Sequence, residues 1–284
     1  MKKILVLALI LALSVPAMVQ ARQIDLLPSG SAAGGPVVPY VETTPPYAIN
    51  PAKTALFVID PQIVYSAPFT IDPAELALGK SPLHCENFDA AMANVTSIVR
   101  ACAAKNIPVF LIRHVYEPDG CNCGRLCDFD PLGGLGFPKA WNLWRRDLIF
   151  SEFDARVQDI KNILNADGDN YFYAEKSIFS SFTRPVVGRL VLRGIDTVII
   201  TGFMTQYCSV SATRHGHDLG YKIVYVKDAN DGPQLGQILT TDPAGTNPPK
   251  YPQGIDENDA IPFYLSIPVA DVTDTAGIVA RINR

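Results

Sequence analysis

Three residues whose side chains can support nucleophilic chemistry each come at or shortly after the end of an apolar stretch. They are Asp60, Lys176 and Cys208, which lie 116 and 32 residues apart along the 284-residue chain. If the apolar stretches are parallel strands, their carboxyl ends meet at one edge of a sheet, which is where sites form in α/β proteins. The sequence therefore predicts that an acid, an amine and a thiol converge.

Such a group can hydrolyse a carbonyl compound. The thiolate is the nucleophile, and Cys208 falls at the start of a predicted helix, where the helix dipole should lower the pKa of its thiol. Asp60 can accept the thiol proton and return it to a leaving amine, and Lys176 can hold Asp60 and stabilise developing charge. Backbone N–H groups just before and at the cysteine are the expected oxyanion donors, in a loop that includes Met204, Tyr207 and Cys208.

Each of the three residues also has a purely structural interpretation. Asp60 precedes a proline and is typical of a turn. Lys176 alone resembles a surface lysine, and Cys208 could be a small buried apolar residue or half of a disulfide. Their joint occurrence at three strand ends favours function.

The elements that position these residues alternate between strand and helix. Strands are predicted over 54–59, 108–112, 169–174, 196–201 and 222–226, the first two of them buried, and helices over 87–105, 181–193 and 206–219. This alternation is typical of an α/β fold with a mostly parallel, doubly wound sheet. A short strand over 263–268 and a helix over 273–282 are predicted to complete the domain, which we assign to 51–284.

The N-terminus is predicted to direct export. Lys2 and Lys3 precede an apolar run, and a small-residue site follows at Ala21, so residues 1–21 are interpreted as a signal peptide. The run is shorter than the ~20 residues of a membrane span. We therefore expect a periplasmic or secreted protein with no membrane association after cleavage, preceded by an extended N-terminal arm over 22–50.

Composition indicates a small-molecule partner. Hydrophobic residues make up 48% of the chain and charged residues 18%, as in ordinary globular proteins. Removal of residues 1–21 leaves 22 basic and 28 acidic side chains, a formal net charge of −6. An acidic chain without a basic stripe is a poor nucleic-acid binder.

The three segments around the candidate residues resemble the cysteine hydrolases of the isochorismatase-like superfamily. They are Phe-Val-Ile-Asp60-Pro-Gln62, Ala-Glu-Lys176-Ser-Ile-Phe-Ser-Ser-Phe and Thr201-Gly202-Phe-Met-Thr205-Gln-Tyr-Cys208, in the family's order within about 54–230. The resemblance implies a three-layer α/β/α fold, an Asp-Lys-Cys triad and cleavage of an amide-type C–N bond. It also implies a non-proline cis peptide, matching Phe203–Met204 here, and a homo-oligomer, either dimer or tetramer.

Two other functions stay open. An isochorismatase-type hydrolase opens a vinyl ether and uses the Asp without a nucleophilic Cys, so Cys208 and the predicted export disfavour it. The other is a non-catalytic periplasmic binding protein on the same scaffold. Such a protein has no need to keep all three residue types, so their joint presence argues against it. The nicotinamidase branch of the family carries an Asp-x-His metal motif that this chain lacks, so no metal or other cofactor is expected.

Substrate contacts are expected from side chains near the strand ends and from the irregular segment 115–150. The segment Val115-Tyr-Glu-Pro-Asp-Gly is loosely similar to family members that act on carbamoyl or ureido compounds. Arg113, Arg145 and Arg146 could recognise a carboxylate or simply be solvated. The residues assigned to substrate binding are Gln62, Tyr65, His114, Trp141 and Phe179. Gln62 could alternatively orient Asp60, and His114 could instead be hydrogen-bonded into the framework.

The cysteines outside the site are predicted to be structural. Cys121, Cys123 and Cys127 are close enough in sequence for a local disulfide, which is favoured over a zinc site because no fourth ligand follows at suitable spacing. Cys85 and Cys102 flank one predicted helix about 25 Å long and cannot bond each other.

Overall fold

The sheet has six strands, all parallel, in the order β3-β2-β1-β4-β5-β6. The computed structural model describes residues 45–66, 84–124, 144–164, 170–233, 257–266 and 269–284; the predicted signal peptide, most of the arm, Trp141 and Cys127 lie outside these ranges. The strands are β1 Thr54–Ile59, β2 Val109–His114, β3 Tyr171–Lys176, β4 Thr197–Phe203, β5 Lys222–Asp231 and β6 Asp271–Thr273.

This strand order reverses direction between β1 and β4. In doubly wound sheets the crevice outside the carboxyl ends at that reversal is where ligands bind. The predicted mostly parallel, doubly wound sheet is thus confirmed, and its order places the ends of β1 and β4 side by side.

Helices cover both faces of the sheet. They are α1 Ile63–Ser66, α2 Phe88–Ala104, α3 Val157–Leu164, α4 Arg184–Leu192, α5 Val210–Asp218, α6 Glu257–Ser266 and α7 Thr275–Asn283. Helices α2, α3 and α7 pack on the face that Leu56 and Val58 share, and α4, α5 and α6 pack on the face of Ala55, Phe57 and Ile59. Alternate residues of one strand therefore serve two cores, which gives the three layers expected from the resemblance.

The C-terminal prediction needs a correction. Residues 263–266, predicted as strand, belong to α6, and the last strand is β6 at Asp271–Thr273. The short apolar run over 263–268 favoured a strand, and Pro262 directly before it is a poor residue for a helix interior. Burial of Leu265 and packing of Ile261 against the core under α6 outweigh that preference.

The cysteines outside the site divide as expected into a disulfide and separate thiols. Cys123 is disulfide-bonded, whereas Cys102 and Cys121 are free thiols. Cys85 and Cys102 are not joined to each other. Separately, among the described residues no helix has the length and apolarity needed to cross a membrane.

Candidate active site

Asp60 begins the site directly beyond β1. Its backbone takes a left-handed conformation with φ +50°, which a non-glycine residue rarely adopts and which is often retained at functional positions. The Asp60 N–H donates to Ile112 O at 2.8 Å, and its carbonyl accepts from Gln62 N at 2.8 Å. These bonds tie the turn to β2 and direct the carboxylate into the protein, where it is fully buried.

Gly202 on β4 permits the close approach that brings this turn beside the next loop. Its φ is +122°, and a Cβ at this position would lie 2.0 Å from Ile59 O. Only glycine fits so near the backbone of β1. The Gly202 in the sequence motif therefore has a packing function at the β1–β4 reversal.

Cys208 does not lie in a regular α-helix as predicted. It lies in a wide π-helical turn, Thr205–Ser209, and α5 begins only at Val210. Such turns are rare in proteins overall, and where they occur they are often at functional sites. The peptide bond Phe203–Met204 is cis, as the resemblance implied, and Met204 O accepts from Tyr207 N and Ser209 N at 3.1 Å each.

Lys176 ends β3, and its ammonium joins the other two groups. The Nζ atom lies 2.8 Å from Asp60 Oδ2 and donates to Cys208 Sγ at 3.1 Å. Its third contact is His114 Nδ1 at 3.0 Å. The convergence of acid, amine and thiol that the strand ends predicted is thus present, with the Asp60 and Lys176 side chains closed to solvent.

Burial dominates the electrostatics of the thiol. It raises the pKa of Cys208 to about 12, Lys176 partly opposes the rise, and Asp60 adds to it. The prediction that this pKa is lowered is therefore wrong for the resting site. The desolvation cost of a buried thiolate exceeds the stabilisation that one ammonium and the π-helical turn before α5 give it. At neutral pH the sulfur is a thiol.

The pKa values of the Asp60 carboxyl and the Lys176 ammonium are shifted in directions that suit proton transfer. Burial raises the pKa of Asp60, with the charge of Lys176 opposing it, so its carboxylate is a stronger base than usual. Burial lowers the pKa of Lys176, but Asp60 and Cys208 more than offset this, so the ammonium keeps its charge. Asp60 also accepts hydrogen bonds from the Cys208 side chain and the His114 backbone, so its carboxylate is placed to take the thiol proton.

Asp60, His114 and Cys208 offer one ligand atom each within 4.8 Å of one another, a spacing that suits a metal ion. The Lys176 ammonium lies at hydrogen-bond distance from a ligand atom of all three residues. A cationic side chain therefore already holds these atoms together, and the donor set does not fit an additional ion.

Aromatic rings surround the thiol and His114. Tyr65, buried, accepts from Trp144 Nε1 at 3.0 Å through its hydroxyl. Phe179 and Tyr207 lie at the rim, each 38% exposed, with ring centroids 5.4 Å apart. Tyr116, which belongs to the segment 115–120 but was not itself among the predicted substrate contacts, packs its ring edge-on against His114 at 4.6 Å. Its place two residues beyond a strand end was the available signal.

Gln62 serves the framework. Its Nε2 donates to His114 O at 2.9 Å and Ser151 O at 2.6 Å, and its Oε1 accepts from His114 N at 2.9 Å. The amide thus extends the pairing of β2 by one side chain and leaves no polar atom for a substrate. Of its two predicted roles, substrate contact and orienting Asp60, the structure shows neither directly.

The arginines near the site are paired with acids. Arg113 contacts Glu152 at 2.9 Å and Glu175 at 2.7 Å, and Arg146 contacts Glu175 at 2.7 Å and Glu117 at 3.0 Å. These ion pairs fasten the segments on either side of residues 125–143 to the end of β3. Recognition of a substrate carboxylate by Arg113 or Arg146 would require breaking them.

A family model described as the isochorismatase domain matches residues 54–236, which include Asp60, His114, Lys176 and Cys208. The chain belongs to the isochorismatase family. A curated protein similar to it is the ureidoacrylate amidohydrolase RutB of Methylobacterium radiotolerans, 24% identical over 209 residues, covering 69% of this chain and 73% of that protein.

Solved structures of other proteins share the fold. A cysteine hydrolase from Pseudomonas syringae pv. phaseolicola has a TM-score of 0.63 at 21% identity, covering 85% of this chain and 98% of its own. The nicotinamidase/pyrazinamidase PncA from Bacillus subtilis has a TM-score of 0.55 at 16% identity, covering 78% and 100%. At these identities the likeness establishes the isochorismatase-like architecture.

Proposed function

We propose that this protein is a cysteine-dependent amidohydrolase that cleaves a C–N bond of a small amide, carbamoyl or ureido compound through a thioester. The observation that carries the proposal is the Lys176 ammonium, which contacts both the Asp60 carboxylate and the Cys208 sulfur inside a buried site. The RutB relative acts on ureidoacrylate, which supports the ureido class.

The reaction begins from the thiol. Asp60 takes the Cys208 proton as the sulfur attacks the carbonyl carbon, so the thiolate forms only while the new C–S bond forms. This order suits a sulfur whose pKa is raised by burial. Lys176 stays charged and stabilises the sulfur and the carboxylate in turn.

The tetrahedral oxyanion needs hydrogen-bond donors. The backbone N–H groups of Met204 and Cys208 are the candidates in the cysteine loop. The Tyr207 N–H already donates to Met204 O, so an oxyanion would have to compete for it. Collapse of the intermediate breaks the C–N bond, and Asp60 gives its proton to the leaving amine.

Water completes the cycle. Asp60 again acts as base, taking one proton of the water that attacks the thioester carbonyl, and the proton returns to Cys208 as the C–S bond breaks. The products are the acid and the amine, and the three side chains recover their starting protonation. No redox partner or cofactor takes part in this sequence of steps.

An ammonia-release screen over small amides, ureas and carbamates, with nicotinamide included, and a separate assay for hydrolysis of isochorismate test the proposal. Wild-type protein should turn over at least one C–N substrate, and Cys208→Ala should lose nearly all of that activity. Cys102→Ala is the matched control, because it removes a buried thiol from α2 at the opposite core and should keep activity. Mass spectrometry should find the acyl group on Cys208.

Other results would reject the proposal. Turnover of isochorismate alone, undiminished in Cys208→Ala, would indicate the ether hydrolase. Tight binding of a substrate without turnover would indicate a binding protein. Turnover that survives Cys208→Ala with a C–N substrate would exclude the thioester.

We also propose export and self-association. Residues 1–21 have the sequence of a signal peptide, and the family resemblance implies a dimer or tetramer. N-terminal sequencing of protein from the periplasmic fraction should start after Ala21, and size-exclusion chromatography with light scattering should give a multiple of the chain mass. An uncleaved cytoplasmic protein, or a monomer, would contradict the respective part.

A further inference from the structure

The ammonium of Lys176 has three hydrogens and three acceptors. Asp60 Oδ2, His114 Nδ1 and Cys208 Sγ lie 2.8, 3.0 and 3.1 Å from Nζ. An ammonium has no further donor to offer, so every hydrogen is used inside the protein. Removal of any one acceptor would leave a buried N–H without a partner or let the group rotate.

The contact with Lys176 fixes the state of His114. Its Nδ1 can only accept from an ammonium, so the ring is neutral and carries its hydrogen on Nε2. Burial, together with the charge of Lys176, holds the pKa of His114 well below its usual range, in agreement with that state. The ring is therefore an acceptor for Lys176 throughout the neutral range.

The ring itself is held from several directions. Gln62 binds both the N–H and the carbonyl of His114, which fixes the backbone at the end of β2. Tyr116 packs edge-on against the imidazole, and Phe179 lies over it with centroids 6.3 Å apart. His114 and Lys176 are also register partners on β2 and β3, so their side chains leave the same face side by side.

We propose that His114 is a positioning residue that holds the Lys176 ammonium between Asp60 and Cys208. It acts through Lys176 and requires no contact with substrate, so of the two roles that the sequence left open this is the hydrogen-bonded one. The inference rests on the proposed function, because orientation of the lysine matters only if the sulfur reacts. Its consequence is that reactivity of Cys208 depends on an acceptor at position 114.

The titratable groups that face the ammonium and the sulfur come from five elements. Asp60 follows β1, Lys176 ends β3, Cys208 lies in the wide turn, Tyr65 is on α1 and Tyr116 follows β2. Burial raises the pKa of both tyrosines, so they stay neutral in the range of the experiment. Lys176 keeps its charge in this range, so changes in thiol reactivity between pH 6 and 9 then report on Asp60 and Cys208.

The test compares His114→Leu with His114→Asn. Leucine removes the acceptor, whereas the asparagine amide oxygen can take the place of Nδ1. The readout is the rate of Cys208 alkylation by iodoacetamide from pH 6 to 9, measured on the Cys208 peptide by mass spectrometry. His217→Leu, on the exposed side of α5, is the matched control.

We expect alkylation of His114→Leu to fall by about tenfold to hundredfold at each pH, the effect of one unsatisfied buried donor. His114→Asn should recover most of the wild-type rate, and His217→Leu should match it. Wild-type reactivity in a folded His114→Leu protein would overturn the proposal, as would equal losses in His114→Leu and His114→Asn.

A second measurement needs no variant. Nitrogen NMR of wild-type protein labelled at histidine distinguishes a ring protonated on Nε2 alone from the other states. A His114 that is protonated on Nδ1 at pH 7 contradicts the proposal directly. Alkylation and NMR need no substrate, so failure of the amide screen would reject the proposed function while these results still decide the role of His114.

Discussion

Lys176 Nζ lies 2.8 Å from Asp60 Oδ2, and both side chains are completely closed to solvent. A buried ion pair of this kind contributes little net stability, yet loss of one partner leaves an uncompensated charge. The pair therefore couples the stability of the fold to the chemistry of the site.

Lys176→Met should lower the free energy of unfolding by about 3–5 kcal/mol, because Asp60 is left buried without its counter-charge. The double variant Asp60→Asn/Lys176→Met should recover much of that loss while remaining inactive. Urea denaturation at pH 7 and an amide turnover assay separate the two effects. A stable Lys176→Met protein, or an active double variant, would contradict this account of the pair.

The alkylation rate of wild-type Cys208 should keep rising from pH 7 to beyond pH 9. A pKa raised by burial to about 12 leaves the sulfur protonated below that pH, so the thiolate fraction grows with each unit. Mass spectrometry of the Cys208 peptide after timed iodoacetamide treatment measures the rate. A plateau near neutral pH would mean that the resting sulfur is a thiolate.

Gly202→Ala should destabilise the protein by about 3 kcal/mol or more, because the new methyl group collides with Ile59 O and φ +122° is unfavourable for alanine. Gly188→Ala is the matched control. It lies within α4, nothing lies within 4 Å of the added Cβ, and a gain of about 0.5–1 kcal/mol is expected. The melting temperatures of the two variants, measured by thermal denaturation, should shift in opposite directions from that of the wild type.

Gln62→Leu should cost about 2 kcal/mol or more, because the buried N–H and carbonyl of His114 and the carbonyl of Ser151 lose their partner. Hydrogen exchange of the His114 amide should accelerate relative to that of Phe110 in the middle of β2. An unchanged melting temperature and unchanged exchange would show that water replaces the side chain without cost.

Much of this arrangement follows from local sequence. Continuous apolar runs identified β1, β2 and β4 to within a few residues, since strands buried on both faces have little choice of composition. The strands β3 and β5 were also identified, although β3 is only partly buried. The acid, amine and thiol were predictable because parallel strands place their ends at one edge.

Other features depended on tertiary contacts that no local pattern encodes. The contact between His114 and Lys176 exists because β2 and β3 are neighbours in register, and the three backbone bonds of Gln62 depend on the same packing. The raised pKa of Cys208 depends on how completely its surroundings exclude water. Helix α6 differs from the predicted strand because packing of Leu265 overrode local preference.

The register between β2 and β3 has one more consequence. His114 is opposite Lys176, and Arg113 is opposite Glu175. Successive side chains of a strand point to opposite faces, so sliding β3 by a single residue would present a carboxylate to the sulfur and turn the ammonium away. Insertions and deletions should therefore accumulate in the connecting segments of relatives. Within β3, the number of residues that precede the lysine should stay the same.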